Sequence, residues 1–181
     1  MLRARCWLAS LLSTLCLAAS AIAQDVEVAP AVQIPILVKV LSFDRGQRGA
    51  RELSVGVVYQ SGNRASSFIR DEVVRALGAQ GVRVVSIDLD HDRLSDVLAE
   101  ADLRAIYVTP LRATDIGTVA AAARDARVTS LTGVPSYVSN GLAVGVGNRG
   151  GRPRILINLE ASRREGADLG AELLKLAEIV R

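Results

Sequence analysis

The chain has 181 residues, half of them hydrophobic, with 22 basic against 19 acidic side chains and a formal net charge of +3. Its basic residues form no run that would offer a nucleic-acid or lipid surface, and an aromatic content of 3% leaves no platform for stacking bases. The length suits one domain with its own core.

The chain opens MLRARCWLASLLSTLCLAASAIAQ. Arg3 and Arg5 form a basic n-region, Cys6 to Ile22 an apolar stretch, and Ala21-Ile22-Ala23 a small-x-small site. This pattern predicts a signal peptide over 1–23, cleaved after Ala23. The apolar run is short for a relaxed membrane span, and Leu15 fits poorly before a lipidated Cys16. Both cysteines lie in this leader, so the exported chain enters an oxidising compartment with no disulfide and no thiolate to offer. Losing Arg3 and Arg5 also takes the basic count from 22 to 20 against 19, a net charge of +1.

Residues 24–34 read as a flexible N-terminal segment and 35–181 as one domain. Pro35 to Asp44 predicts a first helix, with Pro35 in its first turn and Ile36, Leu37, Val40 and Leu41 on one face. Leu53 to Tyr59 is an apolar, β-branched strand. After the turn Gln60-Ser61-Gly62-Asn63-Arg64, Ser66 or Ser67 caps a helix that runs to about Gln80. Val82–Ile87 is the next strand, Asp90–Ala101 a helix, and Arg104–Thr109 a third strand. Thr114 or Asp115 caps a helix to Ala126, and Val128–Thr132 is a fourth strand. Such alternation predicts a three-layer α/β domain with a mostly parallel sheet, Rossmann-like in its layering. Leu142–Val146 and Pro153–Asn158, separated by Gly147-Asn148-Arg149-Gly150-Gly151, predict an antiparallel edge hairpin. A single final helix is expected from about Glu160 to Ile179.

Three stretches invite a functional reading. Gly145, Gly147 and Gly150 spell the dinucleotide fingerprint, but a strand follows where that chemistry needs a helix N-terminus, so the glycines read as hairpin residues. Asp88, Asp90 and Asp92 flank His91, the single histidine. A calcium loop would want Gly and Glu where Arg93 and Ala99 stand, so this reads as an acidic strand-to-helix turn with no metal. Ser61, Asn63, Ser66 and Ser67 lie at the carboxyl end of the first parallel strand, the edge where open α/β sheets bind ligands. They are the ligand-binding candidates, weighed against an ordinary polar turn. No nucleophile–base pair, HExxH or P-loop is present, which points away from an enzyme and from a cofactor.

The C-terminal stretch Ile155-Leu156-Ile157-Asn158-Leu159-Glu160-Ala161-Ser162-Arg163-Arg164-Glu165-Gly166, followed by Leu169, Leu173-Leu174 and Leu176-Ala177, resembles the end of the YfiR-like family of periplasmic regulatory proteins. Leu131-Thr132 and Gly141 before the last hairpin are also similar to its pattern. The resemblance implies a periplasmic location and a Rossmann-like domain that is often a homodimer. It also implies a non-enzymatic role, in which the chain represses a membrane signalling protein such as a diguanylate cyclase by binding its periplasmic segment. Asn158, Gly166, Leu173 and Leu174 are then structural positions, with Asn158 bonding backbone groups at a strand-to-helix turn. The alternative is a solute-binding lobe that uses the 60–67 loop.

Overall fold

Four apolar, β-branched runs bounded by Gly, Pro and Asp become four parallel strands, because only a sheet covered on both faces buries such runs completely. The computed structural model of the chain describes residues 28–45 and 53–180; the expected signal peptide lies outside them. In chain order the elements are α1 (Pro30–Ser42), β1 (Ser54–Tyr59), α2 (Arg64–Ala79), β2 (Arg83–Asp88), α3 (Leu94–Glu100), β3 (Ala105–Val108), α4 (Ile116–Ala126) and β4 (Thr129–Thr132). Then come α5 (Pro135–Ser139), β5 (Val144–Arg149), β6 (Arg152–Asn158), α6 (Leu159–Arg164), α7 (Ala171–Leu176) and β7 (Glu178–Val180).

One seven-stranded sheet has the order β2-β1-β3-β4-β5-β6-β7. Every neighbouring pair is parallel except β5 and β6, which form the expected antiparallel hairpin. Its turn is only Gly150-Gly151, at φ 59° and 78°, a conformation that glycine adopts without strain. The short β7 pairs in parallel outside β6, so β7 and not the hairpin forms that border.

Two apolar layers hold the sheet. On one face Ile34, Leu37, Val40 and Leu41 of α1, Val73 and Leu77 of α2 and Leu173 of α7 cover Val55, Val57, Tyr107, Leu131 and Val144. On the other, Leu98 of α3 and Ile116, Val119 and Ala123 of α4 cover Val58, Ile87, Ile106 and Val108. These side chains are almost wholly withdrawn from water, and each Val, Leu and Ile among them contributes roughly 1.5–3 kcal/mol on that account.

Several elements differ from the sequence expectation. The first helix begins at Pro30, five residues before Pro35, and ends at Ser42. Pro30 takes the first helical position, where no N–H is required, and Pro35 sits inside the helix on its exposed side. Gln33 and Ile34, assigned above to a flexible segment, are buried. A short helix that the sequence reading does not include, α5, begins at Pro135.

The single C-terminal helix is replaced by α6, a turn, α7 and β7. Gly166 at φ 88° turns the chain out of α6. The end of α1 then captures the next residues: Asp168 N–H donates to Asp44 Oδ1 at 2.9 Å, and Arg45 N–H to the Asp168 carbonyl at 3.0 Å. The leucine spacing that reads as one long helix serves two shorter elements, and Leu176 ends 70% exposed.

Candidate functional site

The order β2-β1-β3-β4-β5 reverses direction between β1 and β3. In open α/β sheets the crevice outside the strand ends at such a reversal is where ligands bind. The four candidate residues of the 60–67 loop border this crevice.

Gln60, just past β1, is the hub. Its side-chain Oε1 accepts from Arg112 N–H at 2.7 Å and its Nε2 donates to Thr114 Oγ1 at 3.2 Å, both across the reversal. Its backbone N–H donates to Ser66 Oγ at 3.0 Å, and its carbonyl accepts from Ser67 Oγ at 3.3 Å. Thr109 Oγ1 donates to the Val58 carbonyl at 3.0 Å, so in its 2.7 Å contact with Ser66 Oγ the serine is the donor. Both Ser66 and Thr109 are fully buried.

Asn63, not Ser66 or Ser67, caps α2. Its Oδ1 accepts from the N–H groups of Ala65 and Ser66, while its Nδ2 donates to the Pro110 carbonyl at 3.2 Å. The structure therefore brings Asn63, Ser66 and Ser67 together, with their polar atoms turned inward. Ser61 faces the other way, toward β2, and its Oγ lies 3.4 Å from Asp90 Oδ2.

The acidic turn completes this closure. Asp88 Oδ1 accepts from the N–H groups of Ser61 and Asp90, Asp90 Oδ2 accepts from Gly62 N–H at 2.7 Å, and Asp92 Oδ2 accepts from Asp88 N–H at 2.9 Å. Burial pushes the Asp88 carboxyl up. The bonds from Ser61 and Asp90, with His91 Nε2 3.9 Å away, outweigh it and hold the group below the usual carboxylate value. Among the described residues no group of three or more His, Cys, Asp or Glu side chains is placed to hold a metal ion.

A second polar cluster lies at the opposite edge, beneath β4 and β5. Asn158 caps α6, accepting from Ala161 N–H at 3.0 Å and donating to the Val138 carbonyl at 3.1 Å. Glu165, at the end of α6, is buried; its two oxygens accept from Ser130 N–H at 2.8 Å and Ser130 Oγ at 2.6 Å. Ser130 Oγ in turn accepts from Ala143 N–H at 2.8 Å. The β4–β5 ladder begins only at Leu131, so this carboxyl fills the place of a missing strand partner. Burial raises its pKa to about 7, against the Ser130 bonds and the Arg124 charge that favour ionisation. The residues expected to be structural lie nearby: Gly166 at the turn, Leu173 buried and Leu174 half-buried.

Sequence reading passed over Glu165, which nothing local distinguishes from a surface residue. It also passed over Arg149, Arg152 and Arg154 of the hairpin, where the alternation Arg-Pro-Arg was a usable signal.

No curated protein matches the chain. Several solved structures share its fold, three of which show the range. A conserved domain protein from Vibrio cholerae O1 biovar El Tor is 15% identical with a TM-score of 0.66, over 82% of this chain and 60% of that one. An ABC domain in complex with L-Trp from Streptococcus pneumoniae is 16% identical with a TM-score of 0.63, over 84% and 60%. CD0873, a substrate-binding protein with adhesive properties from Clostridium difficile, is 14% identical with a TM-score of 0.56, over 72% and 55%. The match thus spans about 60% of the length of the first two, and such low identity speaks for the fold alone. The sequence itself matches one family across nearly all the described residues, 31–178, and the chain belongs to the YfiR/HmsC-like family.

Proposed function

We propose that the chain is a non-enzymatic periplasmic regulator that binds the exported segment of a membrane signalling protein, such as a diguanylate cyclase, and acts by occluding it. The observation that carries this reading is family membership over residues 31–178. The hydrogen bonding around the crevice supports it, since Gln60, Asn63, Ser66 and Ser67 spend their polar groups on one another and on the β3 loop. A solute-binding lobe using Ser61, Asn63, Ser66 and Ser67 would have to break those bonds before offering them. No helix among the described residues is long and apolar enough to cross a membrane.

A protein partner needs an exposed apolar anchor. Phe68 on α2 is 62% exposed and Val32 on α1 is 46% exposed, both near the N-terminal ends of two helices packed side by side. An exposed aromatic held on a rigid helix is the kind of residue that dominates binding energy at interfaces.

The test is co-purification from detergent-solubilised membranes with tagged mature protein, followed by mass spectrometry. The reading expects a signalling protein with an exported segment, lost when Phe68→Asp is used as bait. Recovery of no membrane partner, together with thermal stabilisation by a metabolite, overturns it.

A further inference from the structure

The hairpin carries an arrangement that the fold does not need. The register pairs Arg149 with Arg152 and Gly147 with Arg154, so all three arginines project from one face of the two strands. Like charges directly opposite each other on a sheet are destabilising. One carboxylate offsets them: Glu178 of β7 holds Arg149 at 2.9 Å. Arg152 and Arg154 are exposed and form no ion pair among the described residues.

On this face is a cavity of about 300 Å³ lined by Pro135, Gly147, Arg149, Arg154, Leu156 and Glu178, with Arg152 outside the lining, two residues from Arg154 on the same strand face. Gly147 keeps its floor low: a Cβ there would sit 3.2 Å from Leu156 Cδ1 and 3.4 Å from Pro135 Cγ. The hollow thus has an apolar base, a cationic rim and a volume at the small end of ligand sites.

We infer that this hollow binds a small phosphomonoester, its apolar body on Pro135 and Leu156 and its head on Arg154 at the rim, with Arg152 two residues along the same strand face on the outer side of that head. The charge decides the class. Two guanidinium groups without carboxylate partners match a dianion, and a phosphomonoester carries roughly −1.5 to −2 at neutral pH. Guanidinium forks bond phosphate oxygens in pairs, which a carboxylate monoanion satisfies only once. Glu178 competes for Arg149 and so limits affinity. The inference does not rest on the regulatory reading and uses none of the residues assigned to the partner surface.

Titration calorimetry of the mature protein at low salt tests it, with phenyl phosphate, inorganic phosphate and benzoate as probes. Phenyl phosphate should bind saturably. Losing one charge-assisted pair should weaken it roughly tenfold in Arg154→Ala and in Arg152→Ala, with circular dichroism unchanged. Glu178→Gln should tighten it by releasing Arg149. Vesicles of phosphatidylcholine with phosphatidic acid separate a lipid-borne head from a free one, and Arg154-dependent binding of either supports the inference. Absence of saturable binding in the parent protein overturns it, as does binding unmoved by both arginine variants. Equal affinity for benzoate overturns the dianion assignment, and equal affinity for inorganic phosphate overturns the apolar body.

Discussion

The carboxyl edge of the sheet has two halves built on opposite plans. At the β1/β3 reversal, where this architecture leaves a crevice, Gln60, Asn63, Ser66 and Thr109 spend their polar groups on one another and on the β3 loop. This half is filled in its bonding, and the cavity of about 320 Å³ that Gln60 and Thr114 border is otherwise lined mainly by Leu89, Leu94, Val119 and Ala122. At the β5–β6 hairpin no such crevice is inherited, yet Arg154 stands with unspent charge at the rim of an apolar hollow, and Arg152 beside it on the same strand face. Position in a fold therefore says where a site can be, while the hydrogen-bond accounting says whether it is one. A filled half should answer to substitution with lost stability, and an open half with altered binding.

The largest effect is expected at Gly133, beside the filled half. A Cβ there would lie 2.2 Å from Gln33 Oε1, inside a buried side chain that donates to the Val28 carbonyl and accepts from Tyr107 OH at 2.7 Å. Gly133→Ala should cost about 2–3 kcal/mol in urea unfolding, because it displaces a satisfied buried amide. A loss under half of that would mean the filled half yields more easily than its bonding implies.

Next is the pH response at Glu165, which is filled in the same sense at the far edge. Its folded pKa, about 7, lies above its unfolded value near 4.5. Its stabilising contribution is then complete below pH 4.5 and fades as pH rises through 7. The loss across that window should be about 2–3 kcal/mol from this group, read as the difference between the parent and Glu165→Gln in unfolding at pH 5 and pH 8. Parallel pH curves for the two proteins would refute the assignment.

Ser66→Ala should cost about 1–2 kcal/mol, since it strands the Gln60 N–H and removes the bond that Thr109 Oγ1 accepts, without adding volume. Smallest is Arg154→Ala, expected within about 0.5 kcal/mol of the parent in the same measurement while it alters anion binding. A larger loss would make Arg154 part of the frame and erase the contrast.

Much of this architecture was legible in advance, for identifiable reasons. Runs such as Val55-Gly56-Val57-Val58 and Ala105-Ile106-Tyr107-Val108 are short, apolar and bounded by turn residues, so β1 to β4 fall within about a residue of their expected limits. Gly150-Gly151 announced the hairpin. What failed depended on distant partners. Nothing near Asp168 shows that Asp44 will hold its backbone and break a helix that the leucines favour. Pro30 and Pro35 both suit a first turn, and burial of Gln33 and Ile34 decides between them. The polar loop after β1 was recognised as a junction, but its bonds to Pro110, Arg112 and Thr114 belong to the strand order, which pairs β1 with β3. The arginine face requires the hairpin register to appear at all.

The last strand carries one more consequence. With three residues and Glu178 turned to Arg149, β7 gives that border of the sheet too little free backbone to template a second chain. The rest of this border is β6 from Arg152 to Ile155, which no strand among the described residues pairs on the outer side. Pro153 has no N–H to offer there and the two flanking arginines repel an approaching copy, so a second sheet finds little to zip onto.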